Sequence, residues 1–243
     1  MTRPKSICIA IPTYDGRIPV ETAVQLSQAV GSLQRAGVSV DIQWGAGSAL
    51  IDLCRNRLVK KFLTKTTADK LFFLDSDIIF QAQDLLYLVM HSEKCNEQGS
   101  AMYPVVGAVY PVRKDPPKFF IKALSSGLAM NEDGLIEIGG CGMGFMMIDR
   151  EVFALMDDKV EEFISNDNEV LKAYFDIRII NKHYKGEDIS FFIRYTKECG
   201  GHVFIDPQIC LKHVGTKEYD YKLLDYLDSK LERVSCREAK WRE

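Results

Sequence analysis

No apolar run in these 243 residues approaches the length that crosses a bilayer, so the sequence offers no transmembrane helix. The polar opening, residues 1–6, leads into an apolar stretch too brief for a secretory signal, and a cytoplasmic location is expected. None of the seven cysteines has the Cys-x-x-Cys spacing of a zinc knuckle; their odd number and apolar surroundings read as reduced, mostly buried thiols. An excess of basic charge is missing as well. With 31 Lys and Arg against 34 Asp and Glu the formal net charge is -3, and no overall positive field draws in nucleic acid. Internal repeats and low-complexity tracts are absent, which sets aside solenoids and disordered linkers.

What is present is the balance of a globular protein, 47% hydrophobic and 27% charged, at a length one α/β domain absorbs. Ile7-Cys8-Ile9-Ala10-Ile11 predicts a buried strand that stops at the turn formers Pro12-Thr13-Tyr14-Asp15-Gly16. A helical face of Val24, Leu26, Ala29, Val30 and Leu33 follows, closed by Gly37 before a strand over 38–44. Beyond the Gly45-Ala46-Gly47-Ser48 loop, Leu50, Leu53, Cys54, Leu58, Val59 and Phe62 keep a helical period around a polar centre, Arg55-Asn56-Arg57. Leu71-Phe72-Phe73-Leu74 is too apolar for an edge strand and delivers Asp75-Ser76-Asp77 at its end.

Further on, a helix is expected over 82–91, a strand over 105–109, and a β-rich insertion around Pro116-Pro117 with a turn at 131–134. The glycines of 139–144 suggest a backbone that something approaches closely. A strand over 145–148, a helix over 150–156, an acidic mobile loop reaching Asn168, a helix opening at Gly186-Glu187-Asp188 and ended by Gly200-Gly201, and a strand over 203–207 complete the body. Alternating strands and helices predict an α/β fold, a mostly parallel sheet with helices on both faces and ligands beyond the carboxyl ends of its strands. The catalytic domain is assigned to 1–215. The remainder, 216–243, carries Leu223, Leu224, Leu227, Leu231 and Val234 as an amphipathic helix that docks on the body or on a second copy in a homodimer.

Asp75-Ser76-Asp77 is the most informative triplet. Two carboxylates one residue apart at a strand end reach a single hard cation such as Mg²⁺ or Mn²⁺, which in turn bridges to phosphate oxygens; capping or solvated aspartates are the plain alternative. His213, before Val214-Gly215, is read as a metal ligand or as a hydrogen-bonding residue, and His91, His183 and His202 as the latter. Glu187-Asp188 suits a helix cap or a general base equally.

Pro12-Thr13-Tyr14, Arg55-Asn56, Phe73-Leu74-Asp75-Ser76-Asp77, the 139–144 glycines, Gly186-Glu187-Asp188 and His213-Val214-Gly215 occur in the order seen in GT-A glycosyltransferases. Over residues 7–215 the chain resembles inverting, family-2-like enzymes of that type. The resemblance implies a GT-A (Rossmann-like) fold and inverting transfer of a sugar from a nucleoside-diphosphate sugar, most naturally a UDP-sugar, to an acceptor hydroxyl, with Mn²⁺ or Mg²⁺ as cofactor. It implies that Asp77 and His213 hold the cation and that Asp75 contacts the metal, a metal-bound water or the ribose. Pro12, Thr13, Tyr14 and Asp15 would surround the nucleobase and ribose, with Arg55, Asn56 and Ser76 as further donor contacts. Cys141 and Gly142 would lie near the donor sugar and acceptor, and Asp188 would be the base, supported by Glu187.

Arg113 is assigned to the diphosphate, the acceptor or neither. The acceptor is left among a glycan, a lipid-linked glycan, a protein side chain and a modified base in viral DNA; Lys60-Lys61 and Arg113-Lys114 speak for the last and the acidic balance against it. Two rivals stand beside this reading. An aspartyl-phosphate (HAD-like) phosphohydrolase also places Asp-x-Asp after an apolar strand, with the first aspartate as nucleophile. The other is a nucleotide-sugar or glycan-binding module without catalysis.

Overall fold

The computed structural model describes residues 6–97, 103–215, 218–220 and 222–227. The chain opens with β1 (Ser6–Pro12), α1 (Val20–Arg35), β2 (Ser39–Gly45), α2 (Ile51–Lys65) and β3 (Lys70–Leu74). Strand alternation assigns the layers. Ile7, Ile9 and Ile11 of β1 pack with Leu26, Ala29 and Leu33 of α1, whereas Cys8 and Ala10 pack with Leu58, Val59 and Phe62 of α2. In β3, Phe72 and Leu74 join the first group, Leu71 and Phe73 the second. A strand covered by helices on both faces has to be apolar throughout, which is why β1 and β3 show no polar alternation. Val24 was expected on the buried stripe of α1 but is exposed. That stripe runs through Thr22, Leu26, Ala29 and Leu33, and position 24 lies about 200° round the helix from 22.

Next come β4 (Ile78–Ile79), α3 (Ala82–Glu97), β5 (Val105–Gly107), β6 (Ile121–Lys122), β7 (Ile136–Ile138), β8 (Gly140–Cys141), β9 (Phe145–Asp149) and α4 (Arg150–Met156). The last part holds β10 (Glu162–Ile164), β11 (Val170–Lys172), β12 (Arg178–Ile180), β13 (His183–Lys185), α5 (Glu187–Ile193) with a π-helical turn at Arg194–Glu198, β14 (Val203–Ile205), β15 (Lys212–Val214), β16 (Glu218–Asp220) and α6 (Leu223–Leu227). The central sheet has seven strands in the order β2-β1-β3-β9-β5-β14-β7. Of these β1, β2, β3, β5 and β14 run one way and β9 and β7 the other, a mostly parallel sheet flanked by helices. The turn at 131–134 forms as expected, the Asn131 side chain accepting from the Asp133 and Leu135 amides.

The acidic stretch before Asn168 is not a loop but the hairpin β10–β11, with Asn168 in the left-handed region at φ 58°. Its acids have partners. Arg57 pairs with Asp167 and Glu169, and Lys60 with Glu169, so the hairpin neutralises part of the basic face of α2. Arg150 closes the end of α2 by donating to the carbonyls of Phe62 and Thr66, groups a helix end leaves without intrahelical partners, and to that of Ala68 just beyond.

Leu223 and Leu227 of α6 are buried in the same core as α2 and β9, while Leu231, Val234 and Cys236 lie outside the described residues. Six cysteines are free thiols, four of them buried. No described helix is long and apolar enough to cross a membrane.

Candidate active site

The loops leaving β1 and β2 are tied together, Thr13 N–H donating to Gly45 O at 2.8 Å and Gly47 N–H to Tyr14 O at 3.0 Å. With the end of β3 they enclose a cleft of about 400 Å³ at the carboxyl edge of the sheet. Pro12, Thr13, Tyr14, Asp75, Ser76 and Asp77 line it, all of them expected from the sequence. Ser48, Ala49 and Ile51 line it too and were missed; their signal is the small-residue loop leaving the strand next to β1. Asp15 belongs to the same loop but turns toward Arg17, whose amide it accepts at 3.1 Å.

Arg55 was expected to touch a donor. Instead its side chain is only 3% exposed and joins two halves of the site from within. Nη2 lies 2.9 and 3.0 Å from the two Asp75 oxygens, and Nε lies 3.5 Å from Glu187 Oε1, with the guanidinium over the Phe73 ring. The helical period forces this: Arg55 shares the sheet-facing side of α2 with Leu58, Val59 and Phe62, and it is neutralised there by Asp75 at the end of β3 and Glu187 at the start of α5. Burial works against the Arg55 charge, but Asp75 and Glu187 outweigh it and hold the group firmly protonated. Burial raises the Asp75 carboxyl above the ordinary range; Arg55 pulls it down, and the charges of Asp77 and Glu187 add to the rise. Asn56 is not a cleft residue. Its amide donates to Phe175 O at 2.7 Å and accepts from Phe175 N at 2.9 Å, so both ends are occupied by buried backbone.

Asp77 and His213 do converge, with His213 Nε2 3.6 Å from Asp77 Oδ2. Strand pairing sets this up: β15 lies against β4, His213 opposite Ile78, and Val214 N–H donates to Asp77 O at 2.8 Å. His213 Nδ1 lies 2.9 Å from Pro111 O, and since a carbonyl only accepts, Nδ1 carries the proton. Nε2 faces the Asp77 carboxylate oxygen, an arrangement completed by a proton or a cation between them. Metal-binding histidines are oriented by this kind of bond to a backbone carbonyl. Two ligands each about 2.1 Å from one small cation lie at most about 4.2 Å apart, and the Asp77–His213 separation falls within that span. Among the described residues no group of three or more His, Cys, Asp or Glu side chains is disposed to hold a metal. A cation here would therefore complete its shell from substrate oxygens and water, as magnesium commonly does. In the structure Arg113 pairs with Asp77 Oδ2. Burial works to raise Asp77, but His213 and Arg113 outweigh it and hold the carboxyl below the ordinary range.

Asp188 follows the Gly186 turn at the start of α5, its Oδ1 accepting from Ile189 N at 2.6 Å. Burial and the neighbouring Glu187 charge push its carboxyl up to about 6. Tyr110, also missed, stands between the two halves of the site. Its ring meets the His213 ring edge-on at 4.8 Å, and its hydroxyl fills the space a side chain at Gly142 would need. Burial lifts the phenol well above its usual range, so it stays a neutral O–H. The 139–144 glycines are approached closely, as expected, but by the protein itself: Tyr110 at Gly142, Asp75 and Tyr110 at Gly144, Phe192 at Gly140. Cys141 is fully buried in β8, with its thiol toward Gly142 O and Met146, and it is not among the residues that line the cleft.

No family model and no curated protein matches the sequence. Among solved structures the chain is similar to the crystal structure of A197 from STIV, at 16% identity and a TM-score of 0.53 over 98% of each chain. At that identity the likeness establishes the fold alone, a mixed α/β architecture with a mostly parallel central sheet flanked by helices.

Proposed function

We propose that the protein is a metal-dependent glycosyltransferase that moves a sugar from a nucleoside-diphosphate sugar, a UDP-sugar in the first instance, to an acceptor hydroxyl with inversion. The observation that carries this reading is the convergence at one rim of the sheet: Asp77 with His213, and Asp75 with Glu187 through Arg55, next to Asp188. The adjoining cleft has a volume in the range of small-molecule sites.

Asp77 and His213 would hold Mn²⁺ or Mg²⁺, which when bound supplies positive charge to the diphosphate oxygens as the leaving group departs. The exposed Tyr14 ring and Ile51 offer apolar surface to the nucleobase at the mouth of the cleft. Asp188 accepts the proton of the acceptor hydroxyl as that oxygen bonds to the anomeric carbon, and the bond from this carbon to the diphosphate oxygen breaks with its electron pair leaving on the diphosphate. Attack opposite the departing group inverts the centre. A carboxyl near 6 is ionised at neutral pH yet basic enough to take a proton. Arg55 fixes Glu187, and with it the start of α5, relative to Asp75. The phosphohydrolase rival fits less well, because it needs its first aspartate free as a nucleophile and Asp75 is ion-paired with the buried Arg55, which donates to its Oδ2.

The deciding experiment incubates the full chain with a panel of nucleotide sugars and Mn²⁺, reading the melting temperature and, by mass spectrometry, slow transfer to water. A cognate donor raises the melting temperature because it binds only the folded state. Asp77→Asn should lose that rise; Asp188→Asn should keep it and lose turnover. A panel that yields neither a rise nor hydrolysis rejects the proposal.

A further inference from the structure

We propose that Arg113 is an exchangeable counter-ion: it neutralises Asp77 while no cation is bound and passes to the donor's diphosphate when a divalent cation takes its place. Cation and nucleotide would then bind cooperatively through this one side chain. The nucleotide half of the idea rests on the donor reading above; the exchange at Asp77 does not.

The contest is for a single oxygen. Asp77 Oδ2 is paired with Arg113 and is also the oxygen that His213 Nε2 faces at 3.6 Å. Everything else around it is anchored by backbone, Asp77 O by Val214 N–H and the imidazole by Pro111 O. The turn bearing Arg113 is itself closed by Val112 N–H to Lys118 O at 2.8 Å and Lys114 N–H to Val112 O at 2.6 Å. The guanidinium is the free member of the group. Its side chain is 44% exposed and that of Asp77 38%, so it can leave into the mouth of the cleft without disturbing the core.

Gly215 gives it a track. A Cβ at that position would sit 2.9 Å from Arg113 Cδ and 3.3 Å from Nε, so the segment that supplies the imidazole also leaves room for the arginine to lie across it. Charge then dictates order. The paired charges of Asp77 and Arg113 sum to zero. A divalent cation at Asp77 displaces one positive group while adding two charges beside it, which is unfavourable until an anion arrives. A diphosphate answers both positive groups, and the planar fork of arginine suits its oxygens. Whatever factor the nucleotide adds to cation affinity, the cation must add to nucleotide affinity.

The test is calorimetry on the full chain with Mn²⁺ alone, with uridine diphosphate alone and with both, for wild type, Arg113→Gln and Arg113→Lys. Melting curves verify that the variants fold. Arg113→Gln should bind Mn²⁺ alone about tenfold tighter than wild type, and the mutual enhancement between Mn²⁺ and the nucleotide should shrink about tenfold. Arg113→Lys, which keeps the competing charge, should bind Mn²⁺ alone as wild type does. Unchanged or weaker Mn²⁺ binding in Arg113→Gln overturns the exchange, as does no Mn²⁺ binding in any variant. If Mn²⁺ tightens as expected while uridine diphosphate binds no form of the protein, the exchange stands and the donor reading falls.

Discussion

Arg55 and Asp75 form a pair in which a single nitrogen, Nη2, lies 2.9 and 3.0 Å from the two carboxylate oxygens, deep beneath the cleft that Asp75 lines. Asp75 is thereby fixed as a wall of the site, and Asp77 is left as the outward carboxylate of the triplet. Arg55→Ala removes the charge that Asp75 and Glu187 share, and breaking a buried pair from one side costs about 3–5 kcal/mol. A large fall in melting temperature is expected. Arg55→Lys keeps the charge but cannot span both carboxylates, so it should melt between wild type and Arg55→Ala and turn over donor at least tenfold more slowly. A lysine variant indistinguishable from wild type in both measurements would show that the bridge does nothing.

Asp188 sets an acid limb and a stability cost together. Its carboxyl is pushed up to about 6 by burial and by the Glu187 charge, so log kcat/KM should fall as pH drops through about 6 and level off above it. A folded-state value above the ordinary one means that the group favours the folded protein only in its protonated form. That contribution is full below about 4 and is lost as pH rises through about 6. Asp188→Asn should therefore lose turnover by about 10²–10⁴-fold and melt at a higher temperature than wild type at pH 7 to 8. At pH 4 the two should melt alike. A variant that loses activity and stability in parallel at neutral pH would contradict the base assignment.

The body of this fold was legible where burial is two-sided. β1 and β3 read as unbroken apolar runs because helices cover both faces, and the triplet at 75–77 was placed at the sheet edge for the same reason. Legibility failed where a polar residue is satisfied by something distant in sequence. Arg55 and Asn56 look like ligand contacts along the helix, yet their partners are Asp75, Glu187 and the Phe175 backbone. The acids before Asn168 look solvated until Arg57 and Lys60 are brought against them. Tyr110 carries no local signal at all, and Arg113, offered from the sequence for the diphosphate, the acceptor or neither, gives no sign of its pairing with Asp77; both contacts exist only once the loop after β5 crosses the glycines and Asp77.

Gly144 sits where no side chain fits. A Cβ there would lie 2.5 Å from Asp75 Oδ2 and 2.9 Å from Tyr110 Cε1, and Asp75 cannot retreat while Arg55 holds it. Gly144→Ala should cost about 1–3 kcal/mol through overpacking and reduce donor binding by shifting Asp75. Gly31, in the middle of α1, is the control. A Cβ there meets only the flexible end of Arg35 at 3.4 Å, so Gly31→Ala should gain up to about 1 kcal/mol from helix propensity. Equal effects of the two substitutions on melting would refute the argument from crowding.

Lys70 separates stability from chemistry. It opens β3 at the edge opposite Asp75, about 16 Å away along an extended strand, and its side chain is 2% exposed. The ammonium pairs with Asp149, lies 3.0 Å from Glu93 Oε1 and donates to Ser92 Oγ at 2.8 Å. Lys70→Met leaves Asp149 and Glu93 without that positive charge and should cost about 3–5 kcal/mol. Adding Asp149→Leu removes one of the carboxylates that faced the lysine and should recover part of the loss. Because the cleft lies at the other end of the strand, kcat and KM of the folded fraction should stay within twofold of wild type in both variants. A change in KM for the donor would mean that this charge cluster reaches the site, contrary to its position at the far edge of the sheet.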